Sequence, residues 1–215
     1  MVLSLAHRMG ELWEDQQAHR WEPGPYNDTY AELAGSTMGI LSLGDIGMAV
    51  AQRARGFGME VYAVDKQHSL TTGPEVTSVW GMERLDKLLA MSDWFVVTAP
   101  LTDETRGFID RRRLGLLKEG ARIIVISRGN IVDEEALIDE LRSGRIAGAG
   151  LDALAVEPLP PESPFWDMKN VVVTPHASAL TPEMSRGRQE IFIENMRRFL
   201  ANEPFLYVCD KRAGF

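Results

Sequence analysis

The sequence is poor in cysteine. Among 215 residues there is one, Cys209, so no disulfide forms within the chain. Oxidised, disulfide-stapled scaffolds are thereby excluded, and a reducing, cytoplasmic setting is expected. Histidine is nearly as scarce. His7, His19, His68 and His176 lie far apart, and with one Cys they make no zinc-ligand spacing, so no metal is expected. Basic charge is not in excess either. Lys and Arg number 23 against 31 Asp and Glu, a formal charge of −8. A nucleic-acid face or an anionic membrane partner is therefore not expected. No apolar run approaches the roughly 20 residues of a membrane span. The opening MVLSLAHRMG has too few apolar residues before His7-Arg8 for a signal-peptide core. Low-complexity stretches and internal repeats are missing as well. What is present is a chain with 45% hydrophobic residues, long enough for one full α/β domain with a sizeable core. Its five Trp are scattered and read as packing anchors.

Residues 37–65, TMGILSLGDIGMAVAQRARGFGMEVYAVD, organise the rest. Met38–Leu43 is a mostly apolar run, as expected of a strand buried on both faces. Ser42-x-Gly44-x-x-Gly47 overlaps its end. A helix is predicted from about Ile46 to Phe57, with Ile46, Val50 and Ala54 on one face and Gly56 or Gly58 ending it. A second apolar run, Val61–Val64, leads into Asp65. This is the layout of a dinucleotide-binding βαβ unit. Glycine allows the close turn, free N–H groups at the helix start receive a pyrophosphate, and the acid accepts hydrogen bonds from a ribose. Two residues depart from the fingerprint. Ser42 stands where the first Gly is usual, and a positive φ would cost it energy. Asp45 should cap the helix, yet its charge repels an arriving phosphate.

Around this unit, Val2–Leu12 has helix-like spacing, and 15–33 is a polar connector punctuated by Pro23, Gly24 and Pro25. Residues 67–79 read as a loop through Gly73-Pro74. Helices are predicted at 82–91, 110–117, 133–143 and 182–202. Strands are predicted at 94–98, 122–126, 146–151 and 171–174, and an irregular tail at 205–215. Strands alternating with helices predict an α/β fold, a doubly wound parallel sheet of Rossmann type with flanking helices. Ligands of such sheets sit at the strand carboxyl ends. That rule selects Asp65, Ala99-Pro100, Ser127-Arg128, Asp152 and Pro175-His176.

Several of these residues carry chemistry. Arg128 could hold a carboxylate bidentately and polarise a carbonyl, or could be a surface Arg paired with an acid. His176, the only His at a strand end, could exchange a proton near neutral pH, or could be a structural imidazole. His7, His19 and His68 read as structural. Glu157, beside a His, would orient the ring and favour its protonated form.

The stretches LSLGDIGMAVAQRARGFGMEV, APLTDETRGFID, ISRGNIVDEEALIDELRSGRIAGAGLD, EPLPPESPFWDMKNVVVTPH and FIENMRRFLANEP together resemble the D-isomer-specific 2-hydroxyacid dehydrogenases. That group includes glyoxylate/hydroxypyruvate reductases and phosphoglycerate dehydrogenases. The resemblance implies an NAD-dependent interconversion of a 2-keto acid and a D-2-hydroxy acid. Arg128 would bind the keto acid, His176 would protonate its carbonyl oxygen, and Glu157 would stand behind His176. It also implies a cofactor surface of Ser42, Gly44, Asp45, Ile46, Gly47, Asp65, Ala99, Pro100, Ile126, Ser127, Arg128, Asp152, His176 and Ser178. Asp65 would hold the adenosine ribose and Asp152 the nicotinamide carboxamide. An acid at 65 repels a 2′-phosphate, which favours NAD over NADP, though Lys66 is adjacent.

By the same resemblance, residues 1–35 correspond to a hinge-like helix and a dimer arm. Residues 36–180 form the NAD-binding domain, and 181–215 a helix and tail that pack on a substrate domain. That domain would precede the hinge helix and is missing from the chain, so an exposed apolar patch and weakened catalysis are expected. A homodimer is expected. The competing expectation is an NAD(H)-binding scaffold, as in corepressors sharing this fold. Formate oxidation is disfavoured, because the formate enzymes carry Gln where Glu157 stands.

Overall fold

The computed structural model describes residues 1–67 and 74–211. The readings made for His68 and Gly73 and for the last four residues lie outside the described residues. The chain divides into two compact units, Met1–Pro175 and His176–Phe215. Among the described residues no helix is long and apolar enough to cross a membrane.

The first unit begins with α1 (Val2–Ala6) and α2 (Met9–Gln17). The single leading helix suggested by the spacing is thus broken in two. Arg8 sits between them at φ 50°. Its guanidinium holds Glu11 at 2.9 Å, Thr29 at 2.9 Å and the Pro25 carbonyl at 3.1 Å, so the chain turns to reach these partners. Leu5 and Ala6 of α1 are buried, whereas α2 buries nothing.

The sheet follows, with β1 (Thr37–Leu41), α3 (Asp45–Gly56), β2 (Glu60–Val64), β3 (Ser78–Trp80), α4 (Leu85–Met91), β4 (Trp94–Val97), α5 (Arg111–Leu114), β5 (Arg122–Val125), α6 (Glu134–Arg142), β6 (Gly148–Leu151) and β7 (Val171–Val173). The strand order is β3-β2-β1-β4-β5-β6-β7, with every pair parallel. This is the doubly wound sheet expected. Strand β3 falls where a loop was predicted. It is too short for alternation to be visible, and it is held by pairing with Tyr62–Val64 and by Trp80 lying 5.4 Å from the Tyr62 ring.

Alternate residues of each strand feed two cores. Leu41, Phe95, Val97, Ile123 and Val125 face α4 and α6. Ile40, Trp94, Val96 and Ile124 face α1 and α3. Burial on both faces is why these strands read as continuous apolar runs. In α4, Leu85, Leu88 and Leu89 are each at most 1% exposed, and each contributes about 2 kcal/mol of apolar transfer.

Two packing expectations are corrected. The buried stripe of α3 is Gly47, Ala51 and Ala54, while Ile46 is 54% exposed. The helix is rotated so that its smallest residues meet β1. The Trp residues are not all anchors: Trp94 is 1% exposed, but Trp13, Trp21 and Trp166 are 61%, 95% and 54% exposed.

The second unit contains α7 (Pro182–Ala201), capped by the Thr181 side chain. Its tail folds back on it. Asn195 exchanges two hydrogen bonds with Leu206, at 3.1 and 2.8 Å, and Phe199 stacks on Phe205. Phe192, Phe199 and Leu200 remain largely exposed.

Candidate cofactor site at the carboxyl edge of the sheet

Strand β1 ends at Leu41, and Ser42 turns the chain with φ 73°. A left-handed backbone costs a non-glycine residue about 1–2 kcal/mol. Here the hydroxyl that replaces the glycine hydrogen also offsets that cost. Ser42 Oγ donates to Asp65 Oδ2 at 3.1 Å, and the Leu43 N–H donates to the same oxygen at 2.8 Å. Hydrogen bonds to a charged group contribute roughly 1.5–3 kcal/mol, enough to hold the strained turn. The Gln67 N–H donates to Asp65 Oδ1 at 2.7 Å. The acid after β2 is thus tied into the turn after β1, which the sequence pattern did not show. The Thr98 hydroxyl, past β4, completes the cluster at 2.6 Å from the Ser42 carbonyl.

Helix α3 starts against this turn. A Cβ at Gly47 would lie 2.4 Å from the Ser42 carbonyl oxygen, so only glycine permits the approach. The N-cap is Gly44, with no side-chain cap. Asp45 is therefore the first helical residue and not the cap expected of it. The first-turn N–H groups keep their donors available to an anion. Asp45 and Ile46 are exposed beside them. Replacing Asp45 by arginine is expected to tighten NADH binding roughly threefold to tenfold, the effect of about 1 kcal/mol at a helix terminus. Calorimetric titration of both proteins checks it, and equal affinities would remove the repulsion argument.

Farther along the edge, Ala99 is buried after β4, with Pro100 partly covered, and Ile126 is partly covered after β5. Ser127 is buried, and its hydroxyl has no hydrogen-bond partner. Arg128 is exposed. One of its nitrogens donates to the Ser127 carbonyl at 2.7 Å, and among the described residues it pairs with no carboxylate. The reading of Arg128 as a surface Arg paired with an acid is therefore not what is found. Asp152 is 1% exposed and accepts the Thr174 hydroxyl at 2.5 Å, joining the ends of β6 and β7.

The loops after β5 and β6 are packed together. The Leu154 N–H donates to Glu157 Oε1 at 2.9 Å. The Ala155 N–H donates to Glu134 Oε1 at 2.6 Å. The Ala155 carbonyl accepts from Asn130 Nδ2 at 3.2 Å. Burial raises the Glu134 carboxyl above the usual range, opposed by its bond to Ala155 and reinforced by the charge of Glu157. Asp133 caps α6 through the Ala136 N–H at 3.0 Å, whereas Glu134, the next residue, is turned to the neighbouring loop. His176, at φ 51°, and Ser178 are exposed at the start of the second unit.

These residues fit a dinucleotide: an uncapped helix N-terminus, a turn too tight for a Cβ, and an acid at the end of the adjacent strand. Residues 1–178 match the family described as D-isomer specific 2-hydroxyacid dehydrogenase, NAD binding domain. The chain belongs to this family. It is 39% identical over 207 residues to glyoxylate/hydroxypyruvate reductase B of Pectobacterium carotovorum subsp. carotovorum strain PC1, covering 94% of this chain and 63% of that protein. D-3-phosphoglycerate dehydrogenase of Mycobacterium leprae is 37% identical over 205 residues, 94% of this chain and 38% of that enzyme. A solved D-isomer specific 2-hydroxyacid dehydrogenase from Xanthobacter autotrophicus Py2, in complex with NADPH and MES, superposes with a TM-score of 0.85 at 39% identity. That match covers 100% of this chain and 66% of the other. The chain spans less than two thirds of the length of these curated relatives.

Within this dehydrogenase domain, four contributors escaped the sequence reading: Leu43, Thr98, Asn130 and Glu134. Thr98 had a visible signal, since it ends an apolar strand just before Ala99-Pro100. The other three act through bonds that local patterning does not encode.

Proposed function

We propose that the chain is the nicotinamide-binding part of an NAD-dependent oxidoreductase. It interconverts a 2-keto acid and a D-2-hydroxy acid of the glyoxylate or hydroxypyruvate type. The observation that carries this reading is Arg128, an exposed guanidinium at the carboxyl end of β5 that pairs with no carboxylate among the described residues. A keto acid offers it a carboxylate and a carbonyl in one plane. Bound NADH supplies the hydride. Gly44, Asp45, Ile46 and Gly47 receive the pyrophosphate, and Asp65, held by Ser42, receives the adenosine ribose. Ala99, Pro100, Ile126, Ser127, Asp152 and Ser178 serve the rest of the cofactor. His176 gives a proton to the carbonyl oxygen, and Glu157 is its supporting acid. NAD is preferred over NADP because Asp65 repels a 2′-phosphate, and Lys66 is drawn instead to Glu104.

Oxidation of NADH and NADPH by a panel of glyoxylate, hydroxypyruvate and pyruvate tests this. His176→Ala is expected to lower kcat by at least about 100-fold, the usual worth of a general acid, with NADH affinity retained. Slow turnover that depends on His176 is expected, in keeping with weakened catalysis; NADH binding with no His176-dependent turnover of any keto acid would favour a scaffold.

The same reading places the chain in the cytoplasm, on its cysteine content, and in a homodimer. Residues 8–35 support the dimer. They expose Trp13 and Trp21 and border a groove of about 860 Å³ lined by Leu12, Asp15, His19, Trp21, Tyr26 and Tyr30. Light scattering is expected to give twice the 24.0 kDa chain mass. A monomer at all concentrations would refute the assembly.

A further inference from the structure

Two loops leave the carboxyl edge of the sheet in direct contact. One follows β5 and carries Arg128; the other follows β6 and carries Glu157. Their approach is closer than any side chain allows, since a Cβ at Gly129 would lie 2.0 Å from the Leu154 carbonyl carbon and 2.3 Å from the Ala155 nitrogen. Close packing alone does not set register along the contact. Hydrogen bonds do, and the Ala155 residue is held by both of its backbone groups. Asn130 donates to its carbonyl at 3.2 Å, and Glu134 accepts from its N–H at 2.6 Å. Both partners belong to the segment that begins at Arg128. One residue earlier, the Leu154 N–H is bound by Glu157 itself at 2.9 Å.

We propose that Glu134 is a positioning residue, holding the Leu154–Ala155 backbone, and Glu157 with it, in fixed register to Arg128. This rests on the reading of Arg128 and Glu157 given above. A carboxylate is a costly choice for the task, because Glu134 is partly buried and another carboxylate lies near it. What it provides is a charge-assisted bond, about twice as strong as a neutral one. Its neighbour Glu135 is exposed. Misplacement of a catalytic group by about 1 Å can cost on the order of 100-fold in rate, so a register bond of this kind bears on turnover without touching substrate.

The test compares Glu134→Ala and Glu134→Gln in the purified chain, by amide hydrogen exchange, NADH titration and keto-acid reduction. In Glu134→Ala, exchange at Ala155 is expected to rise at least tenfold and kcat to fall at least tenfold, with NADH affinity and its KM within twofold of the unchanged protein. Glutamine keeps an acceptor oxygen at the same reach, so Glu134→Gln is expected to restore most of both. Ala155 exchange within twofold of the unchanged protein in Glu134→Ala would overturn the proposal. So would a loss of NADH affinity matching the loss of kcat, or a Glu134→Gln protein as impaired as Glu134→Ala. If the unchanged protein reduces no keto acid, the proposed reaction fails, and the exchange arm and its rescue still decide the role of Glu134.

Discussion

Gly129→Ala is expected to lower the melting temperature by roughly 8–10 °C, the equivalent of about 3 kcal/mol for a chain of this size. The added methyl carbon would sit 2.0 Å from the Leu154 carbonyl carbon and 2.3 Å from the Leu154 Cα and the Ala155 nitrogen. All three are backbone atoms, and none can rotate aside as a side-chain tip could. Either the loop after β5 or the loop after β6 must move by about 1 Å or more. Moving the first displaces Arg128; moving the second breaks the Ala155 bonds to Glu134 and Asn130. Activity is therefore expected to fall further than stability alone explains. Calorimetric melting gives the first quantity, and steady-state kinetics well below the transition gives the second. Gly187→Ala is the control. It lies in α7 with nothing within 4 Å of an added Cβ, and it is expected to stabilise slightly through helix propensity. A Gly129→Ala protein melting within about 2 °C of the unchanged protein would mean that the two loops are not tightly coupled.

Gly47→Val is expected to weaken NADH binding at least about 100-fold, or some 2.7 kcal/mol. The first side-chain carbon would meet the Ser42 carbonyl oxygen at 2.4 Å, Thr98 Oγ1 at 3.2 Å and Ile40 Cγ2 at 3.4 Å. Helix α3 can accept it only by withdrawing from the turn that Ser42 and Asp65 hold together. Its first-turn N–H groups then point at a different place from the one the Asp65 carboxylate defines. The two ends of the adenosine diphosphate would no longer be served at once, and binding energy shared between them is lost. Isothermal titration of the folded variant checks this. An affinity within a few-fold of the unchanged protein would show that the pyrophosphate does not sit at the start of α3.

Much of the fold was legible beforehand. Seven parallel strands need apolar runs short enough to cross the sheet, and Met38–Leu41, Val61–Val64, Trp94–Val97 and Arg122–Val125 supply them. The missed strand, Ser78–Trp80, is at the edge, where pairing with one neighbour leaves no sequence period. The leading helix was misread because Arg8 breaks it for partners as distant as Pro25 and Thr29. The face of α3 was misassigned because Gly47, uncounted as apolar, is the residue that packs closest.

The site divides in the same way. Residue type and position alone determined that the strand ends of the first unit carry Asp65, Arg128 and Asp152, because a parallel sheet sends every carboxyl end to one edge. They determined too that Gly47 opens α3. What only the tertiary structure decided is how those ends are held. Ser42 pays for its own strain through Asp65, 23 positions away, and Glu134 grips Ala155, 21 positions away. Such bonds depend on where the sheet brings two loops, and a local pattern of hydrophobic and polar residues contains no record of that distance.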